Sequence, residues 1–278
     1  MPHTRFLLSA LLAVLLPAYT NAADDELIIV QEGDLPLVIS APHGGALELP
    51  GAPIRIGEGL KKGASGFFAG RDTGTEELAL LVVKLLDEKL PGAPSCVISR
   101  VHRKYVDFNR PAEIGVEHEK ARTLHDSWHL ALRTSVNRIR ETHGAGLLID
   151  LHGQGSSAST VFRGTSHGLT VQQLKKRHGE SAHAGEHSLT GILKQSGWTM
   201  HPDPFSGREQ AGFTGGHIVR TYGSHKPDGI DAIQLELGAD YRKASARHKV
   251  ATQLADAIVR YCELYLPTNL PSSTQSTQ

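Results

Sequence analysis

The chain has 278 residues, with Lys+Arg and Asp+Glu both at 29 and 16 histidines. Balanced charge excludes a global electrostatic pull toward nucleic acid or a membrane surface, so recognition must rest on specific contacts. Less an expected leader, about 255 residues remain, enough for one large domain whose core needs no disulfide staples.

Residues 1–22 have a short basic start (His3, Arg5), an apolar run and small residues at the end. This is the anatomy of a secretory signal peptide, and the run is shorter than the ~20 apolar residues of a permanent span. The mature protein is expected in the periplasm or outside the cell, free of the membrane once the leader is cleaved. Residues 24–266 are read as the domain, and 267–278, rich in Ser, Thr, Gln and Pro, as a disordered tail. Cys96 and Cys262 can pair in an oxidising compartment or remain buried thiols.

Residues 27–30 and 35–40 read as strands, the second running into Ala41-Pro42-His43-Gly44-Gly45. A long irregular stretch, 46–71, leads to a helix over 75–90, with Leu78, Leu81, Val82, Leu85 and Leu86 on one face. Asp72 or Thr73 stands where its N-cap belongs. A strand over 95–101, a polar turn over 105–111 and a helix over 119–143 follow. Residues 147–151 form a short apolar strand containing Asp150. Helices near 170–177 and 186–196, strands over 218–222 and 230–237, and a helix over 241–265 complete the chain.

Continuous apolar strands are buried on both faces, which points to a parallel sheet. Alternation with long helices predicts a single α/β domain, a mostly parallel mixed sheet flanked by helices. Ligands of such sheets bind beyond the carboxyl ends of strands, and the polar motifs fall at those ends.

His43 and His152 each end a buried strand and precede glycine, which allows a sharp turn toward the crevice. Zinc takes neutral imidazoles and a carboxylate while keeping a position for water. Asp72 is the candidate carboxylate, with Glu48 as its rival; Asp72 as a plain helix cap is the bland alternative. Asp150, two residues before His152, shares its face and either orients an imidazole or caps the strand end. Glu236, alone in an apolar strand, fits a general base beside a metal, or the buried partner of Arg242 or Arg103. Arg103, Asn109 and Arg110 suit a substrate carboxylate or an oxyanion. His217 and Tyr222 are expected at the pocket's border, and His129 faces either the site or solvent. No serine-nucleophile elbow, dinucleotide fingerprint or phosphate loop is present.

At these motifs the chain resembles the N-formylglutamate amidohydrolase family, itself related in fold to zinc carboxypeptidases and aspartoacylase-type deacylases. The resemblance rests on Ser40-Ala41-Pro42-His43-Gly44-Gly45, Asp72-Thr73-Gly74-Thr75, Asp107-Phe108-Asn109-Arg110-Pro111, Asp150-Leu151-His152-Gly153 and Gln234-Leu235-Glu236-Leu237. It implies a zinc-carboxypeptidase-like fold, with metal ligands at His43, an acid and His152, and Glu236 as general base. It also implies that Asn109 and Arg110 bind the substrate's free carboxylate. One departure is that carboxypeptidases place their acid three residues after the first histidine, where this chain has Ala46. The expected function is zinc-dependent hydrolysis of an N-acyl amino acid or a small or γ-linked peptide, with Arg103 supporting the oxyanion. The rival readings are a cell-wall or poly-glutamate peptidase and an exported, non-catalytic binding protein.

Overall fold

The computed structural model describes residues 27–63, 66–204 and 208–267. The expected leader, and the expected tail apart from Pro267, lie outside them. The strands are β1 (Ile28–Gln31), β2 (Leu37–Ala41), β3 (Ser95–Ser99), β4 (Leu147–Gly153), β5 (Val161–Gly164), β6 (Met200–His201) and β7 (Asp231–Leu237). They form one sheet in the order β1-β3-β2-β4-β7-β5-β6. The inner strands β3, β2, β4 and β7 are parallel, while β1 and β5 pair antiparallel with β3 and β7. The single α/β domain with a mixed, mostly parallel sheet flanked by helices is therefore as the sequence predicts.

The helices are α1 (Thr75–Lys89), α2 (Ala112–Gly115), α3 (Glu119–His143), α4 (Gln172–His178), α5 (Leu189–Gln195), α6 (His217–Tyr222), α7 (Ala239–Arg242) and α8 (Ala244–Tyr265). None among the described residues is long and apolar enough to cross a membrane. Side chains alternate across each strand, so every inner strand feeds two cores. Leu37, Ile39, Leu147 and Ile149 pack with Leu78 and Leu86 of α1 and Leu254 and Ile258 of α8. Val38, Val97, Leu148 and Ala232 pack with Leu124, Trp128 and Leu132 of α3. Cys96 and Cys262 are free, buried thiols in the first core, so the pairing considered from sequence does not occur.

On the α3 side the strands change character toward their carboxyl ends. Val38 gives way to Ser40, Leu148 to Asp150 and His152, and Ala232 to Gln234 and Glu236. These residues are aligned by the sheet register, with Ser40 opposite Asp150, Asp150 opposite Gln234 and His152 opposite Glu236. The chain leaves β2 through α1 toward β3 on one side and returns through α3 to β4 on the other. That reversal opens a crevice at the ends of β2 and β4, the place where open α/β sheets hold ligands.

One sequence expectation fails locally, and two short strands escape it. The β-branched run 218–222 was expected to be a strand, but it folds as α6. Its start is set by tertiary partners: Gly216 N–H donates to Gln234 Oε1 at 2.7 Å and Ile218 N–H to Asn109 Oδ1 at 2.8 Å. Such contacts override a weak local propensity. Strands β5 and β6, of four and two residues, carry too short an apolar run to be legible.

Candidate active site

His43 follows β2, and its turn is packed against the start of α1. A Cβ on Gly44 would lie 2.2 Å from Glu76 N, so glycine is required for this close approach. Asp72 N–H donates to His43 O at 3.0 Å, tying the end of the 46–71 excursion to that turn. Asp72 does not cap α1 with its side chain; the helix begins after Gly74, and the carboxylate turns inward instead.

The result is a tight triangle. His43 Nδ1 and His152 Nδ1 are 3.2 Å apart, and each lies 3.5 Å from Asp72 Oδ2. All three residues are buried, at 1%, 2% and 5% exposure. Glu48, the rival acid, is exposed on the following loop and outside this cluster.

Each imidazole is backed by an acid on its far nitrogen. His43 Nε2 lies 2.7 Å from Asp107 Oδ1, and His152 Nε2 lies 2.7 Å from Asp150 Oδ2. Ser40 Oγ donates to the other oxygen of Asp150 at 2.6 Å. Donation of both Nε2 protons to carboxylates leaves two Nδ1 lone pairs facing each other and Asp72. Only a proton or a metal ion satisfies that arrangement. A tetrahedral ion with bonds of about 2.0–2.1 Å would hold its ligands roughly 3.3 Å apart, which the observed triangle matches. The three residues therefore form a possible metal-binding site.

Neighbouring groups set the charge of the cluster. Burial opposes charge on Asp72, yet hydrogen bonding from His152 and His43 outweighs it and holds the carboxyl well below its usual range. Burial likewise opposes protonation of His152, but Asp150 overcomes it and raises the imidazole well above its usual value.

Glu236 faces the same cleft from β7. Its carboxylate accepts from Gln234 Nε2 at 2.8 Å. Arg242 bonds to the carbonyls of Leu237, Gln154 and Thr73, and Arg103 to Asp107, so neither forms the ion pair considered for Glu236. Burial, the largest influence, pushes the Glu236 carboxyl up to about 7.

Arg103 gives Nε and Nη2 to Asp107 Oδ2 at 2.8 and 2.7 Å, and its guanidinium lies 5.0 Å from the Phe68 ring centre. Asn109 lines the cleft, but its Oδ1 is taken by Ile218 N–H and its Nδ2 lies 3.3 Å from His152 Nε2. Arg110 Nη1 donates to Asn109 O at 2.9 Å while the side chain borders the cleft. The cleft encloses about 400 Å³ between these residues, Phe213, Gln154 and the Gly215-Gly216 turn.

His217 is not part of this cleft; it lines an adjoining hollow with Arg110 and Arg220. Tyr222 lines neither. It is 4% exposed, and its hydroxyl donates to His129 O at 3.0 Å and lies 3.0 Å from His129 Nδ1. The expectation that Tyr222 borders the pocket is thus corrected: the helical α6 turns it toward α3. His129, left open from sequence, is buried between Tyr222 and the Phe108 carbonyl. Sequence reasoning gave Asp107 no role, although its place in the Asp-Phe-Asn-Arg-Pro motif marked it.

Comparison with known proteins follows the same lines. The N-formylglutamate amidohydrolase family model matches residues 116–241, a stretch that includes His152 and Glu236. The N-formylglutamate deformylase of Pseudomonas putida is 28% identical over 244 residues, covering 77% of this chain and 84% of the relative. The crystal structure of N-formylglutamate amidohydrolase from Ralstonia eutropha JMP134 shares the fold, with a TM-score of 0.57 at 15% identity. That likeness covers 86% of this chain and 98% of the other. Over these stretches the chain is similar to N-formylglutamate amidohydrolases. The protein is a relative of that family.

Proposed function

We propose that this protein is a zinc-dependent amidohydrolase that cleaves an N-acyl amino acid with a free carboxylate, N-acylglutamates foremost. The observation that carries the reading is the triangle of His43, Asp72 and His152 beside a half-buried Glu236 that forms no ion pair among the described residues. The relative from Pseudomonas putida is a deformylase of N-formylglutamate, and the cationic wall at Arg103 and Arg110 suits such an anionic substrate.

His43, Asp72 and His152 would hold the ion. When bound, zinc lowers the pKa of a water molecule and polarises an acyl carbonyl. Glu236 accepts the proton of the attacking water as the new C–O bond forms at the acyl carbon. Among the described residues Arg103 Nη1 has no hydrogen-bond acceptor, and it faces the oxyanion. Glu236 then passes its proton to the amide nitrogen as the C–N bond breaks, releasing an amine and a carboxylate. A carboxyl near neutrality is suited to both taking and giving that proton. Arg110 pairs with the substrate's carboxylate.

The test is a panel of N-acyl amino acids and γ-glutamyl peptides given to zinc-loaded protein, with amine release measured before and after chelation. Release that is lost with the metal is expected. Equal release from metal-free protein, or none from the whole panel, overturns the proposal.

A further inference from the structure

Beside the cleft lies a second hollow of about 490 Å³, lined by Arg110, His217, Arg220, Ile114 and Thr214 among others. The two share Asn109, Arg110, Gly212, Gly215 and Gly216 as walls. Much of that partition is glycine backbone. Gly215 holds φ +100°, and a Cβ on Gly216 would lie 2.2 Å from Asn109 Nδ2.

The second hollow is cationic. Two arginines line it, and among the described residues no acid does; burial, the largest influence, lowers the His217 imidazole and favours its neutral form. Arg220 is positioned by its own hydrogen bonds, Nε to Ser166 Oγ at 3.1 Å and Nη2 to Thr214 Oγ1 at 3.2 Å. Like charges around a shared space repel, and an anion seated among them relieves that repulsion. Arg110 stands on the partition, so a substrate whose first carboxylate meets Arg110 has its continuation directed here.

We infer that this hollow is an anion subsite, taking the C-terminal carboxylate of the residue that follows glutamate in a substrate longer than a single N-acyl amino acid, such as an N-acyl-γ-glutamyl peptide. The inference rests on the proposed amidohydrolase reading for the placement of the first carboxylate. His217 and Arg220 would then determine specificity for length and charge.

A matched pair of ligands tests it: N-formyl-γ-glutamylglycine and its C-terminal amide, which differ only in the second carboxylate. Binding is measured by calorimetry on zinc-loaded Glu236→Gln protein, so that no turnover is needed. The acid is expected to bind about tenfold more tightly than the amide, the scale of a partly exposed charge-assisted contact. Arg220→Ala is expected to erase that preference. Equal binding of acid and amide by Arg220-containing protein overturns the subsite, even where wild-type protein releases amine from N-formylglutamate. Preferential binding of the acid, abolished in Arg220→Ala, upholds the subsite even where no amine is released and the catalytic reading fails.

Discussion

Asp107 Oδ1 lies 2.7 Å from His43 Nε2, while the same carboxylate's second oxygen receives Arg103. One buried acid therefore orients both an imidazole of the possible metal-binding triangle and a guanidinium that lines the cleft. Asp107→Asn is expected to weaken zinc binding by about 10- to 100-fold, the usual scale for an outer partner of a liganding histidine. A competition titration against a zinc-binding dye measures this. Unchanged affinity would show that His43 is oriented without Asp107.

The metal itself should be near one equivalent per chain, and both His43→Ala and His152→Ala should empty the site. Elemental analysis reads the occupancy, and thermal melting reads the linked stabilisation, since an ion that binds only the folded state raises Tm. Asp72→Ala should behave like the histidine variants, because its side chain does not cap α1. If that variant keeps its metal, another group completes the site.

Glu236→Gln preserves shape and an acceptor for Gln234 but takes no proton. Turnover should fall by about 10² or more, with zinc content unchanged. Because no arginine is paired with this carboxylate, the melting temperature should hold. A variant that melts much earlier and still turns over normally would assign Glu236 a structural role.

The wall of the cleft also depends on a distant carboxylate. Glu209 Oε1 accepts from Thr165 N–H at 2.9 Å and Oε2 from His167 N–H at 2.8 Å, bracing a turn in which Ser166 and His167 hold positive φ. Ser166 N–H in turn donates to Thr214 O at 2.6 Å, next to the glycine partition. Glu209→Ala should raise KM more than it lowers kcat, since it loosens the wall and leaves the metal ligands in place. Steady-state kinetics at saturating zinc decide; a pure loss of kcat would contradict the assignment.

Stability should fall in acid for a reason outside the active site. Burial lowers the His129 imidazole from 6.5 to about 3. Between those values the unfolded chain binds a proton that the folded chain refuses, so stability present above pH 6.5 is lost progressively as pH falls toward 3. His129→Gln should flatten this part of the profile, as read by denaturant unfolding from pH 4 to 7. An unchanged slope would place the acid sensitivity at other groups.

The central strands and long helices were legible because burial imposes a clear pattern: α3 matches its expected span of 119–143 residue for residue. His43, His152 and Glu236 were legible because a polar residue in or just after an apolar strand is conspicuous, and Asp72 because an acid stands where the next helix begins. Asp107 was not, because its role depends on contacts to His43 and Arg103 that spacing does not encode. Tyr222 was misplaced because its run looked like a strand, whereas side chains of Asn109 and Gln234 start a helix there. Asp72 in place of Glu48 follows from the path of the 46–71 excursion, which Arg55 ties down through the carbonyls of Phe68 and Arg103.

The two free cysteines supply a use unrelated to catalysis. Cys96 sits in a central strand and Cys262 in the last helix, and burial pushes their thiols up to about 11 and 12. Thiols so shielded and so poorly ionised are slow nucleophiles while the fold is closed. Alkylation at neutral pH must therefore wait for the chain to open. Mass spectrometry of the two adducts gives a native clock for opening at opposite layers of one core, with no engineered label.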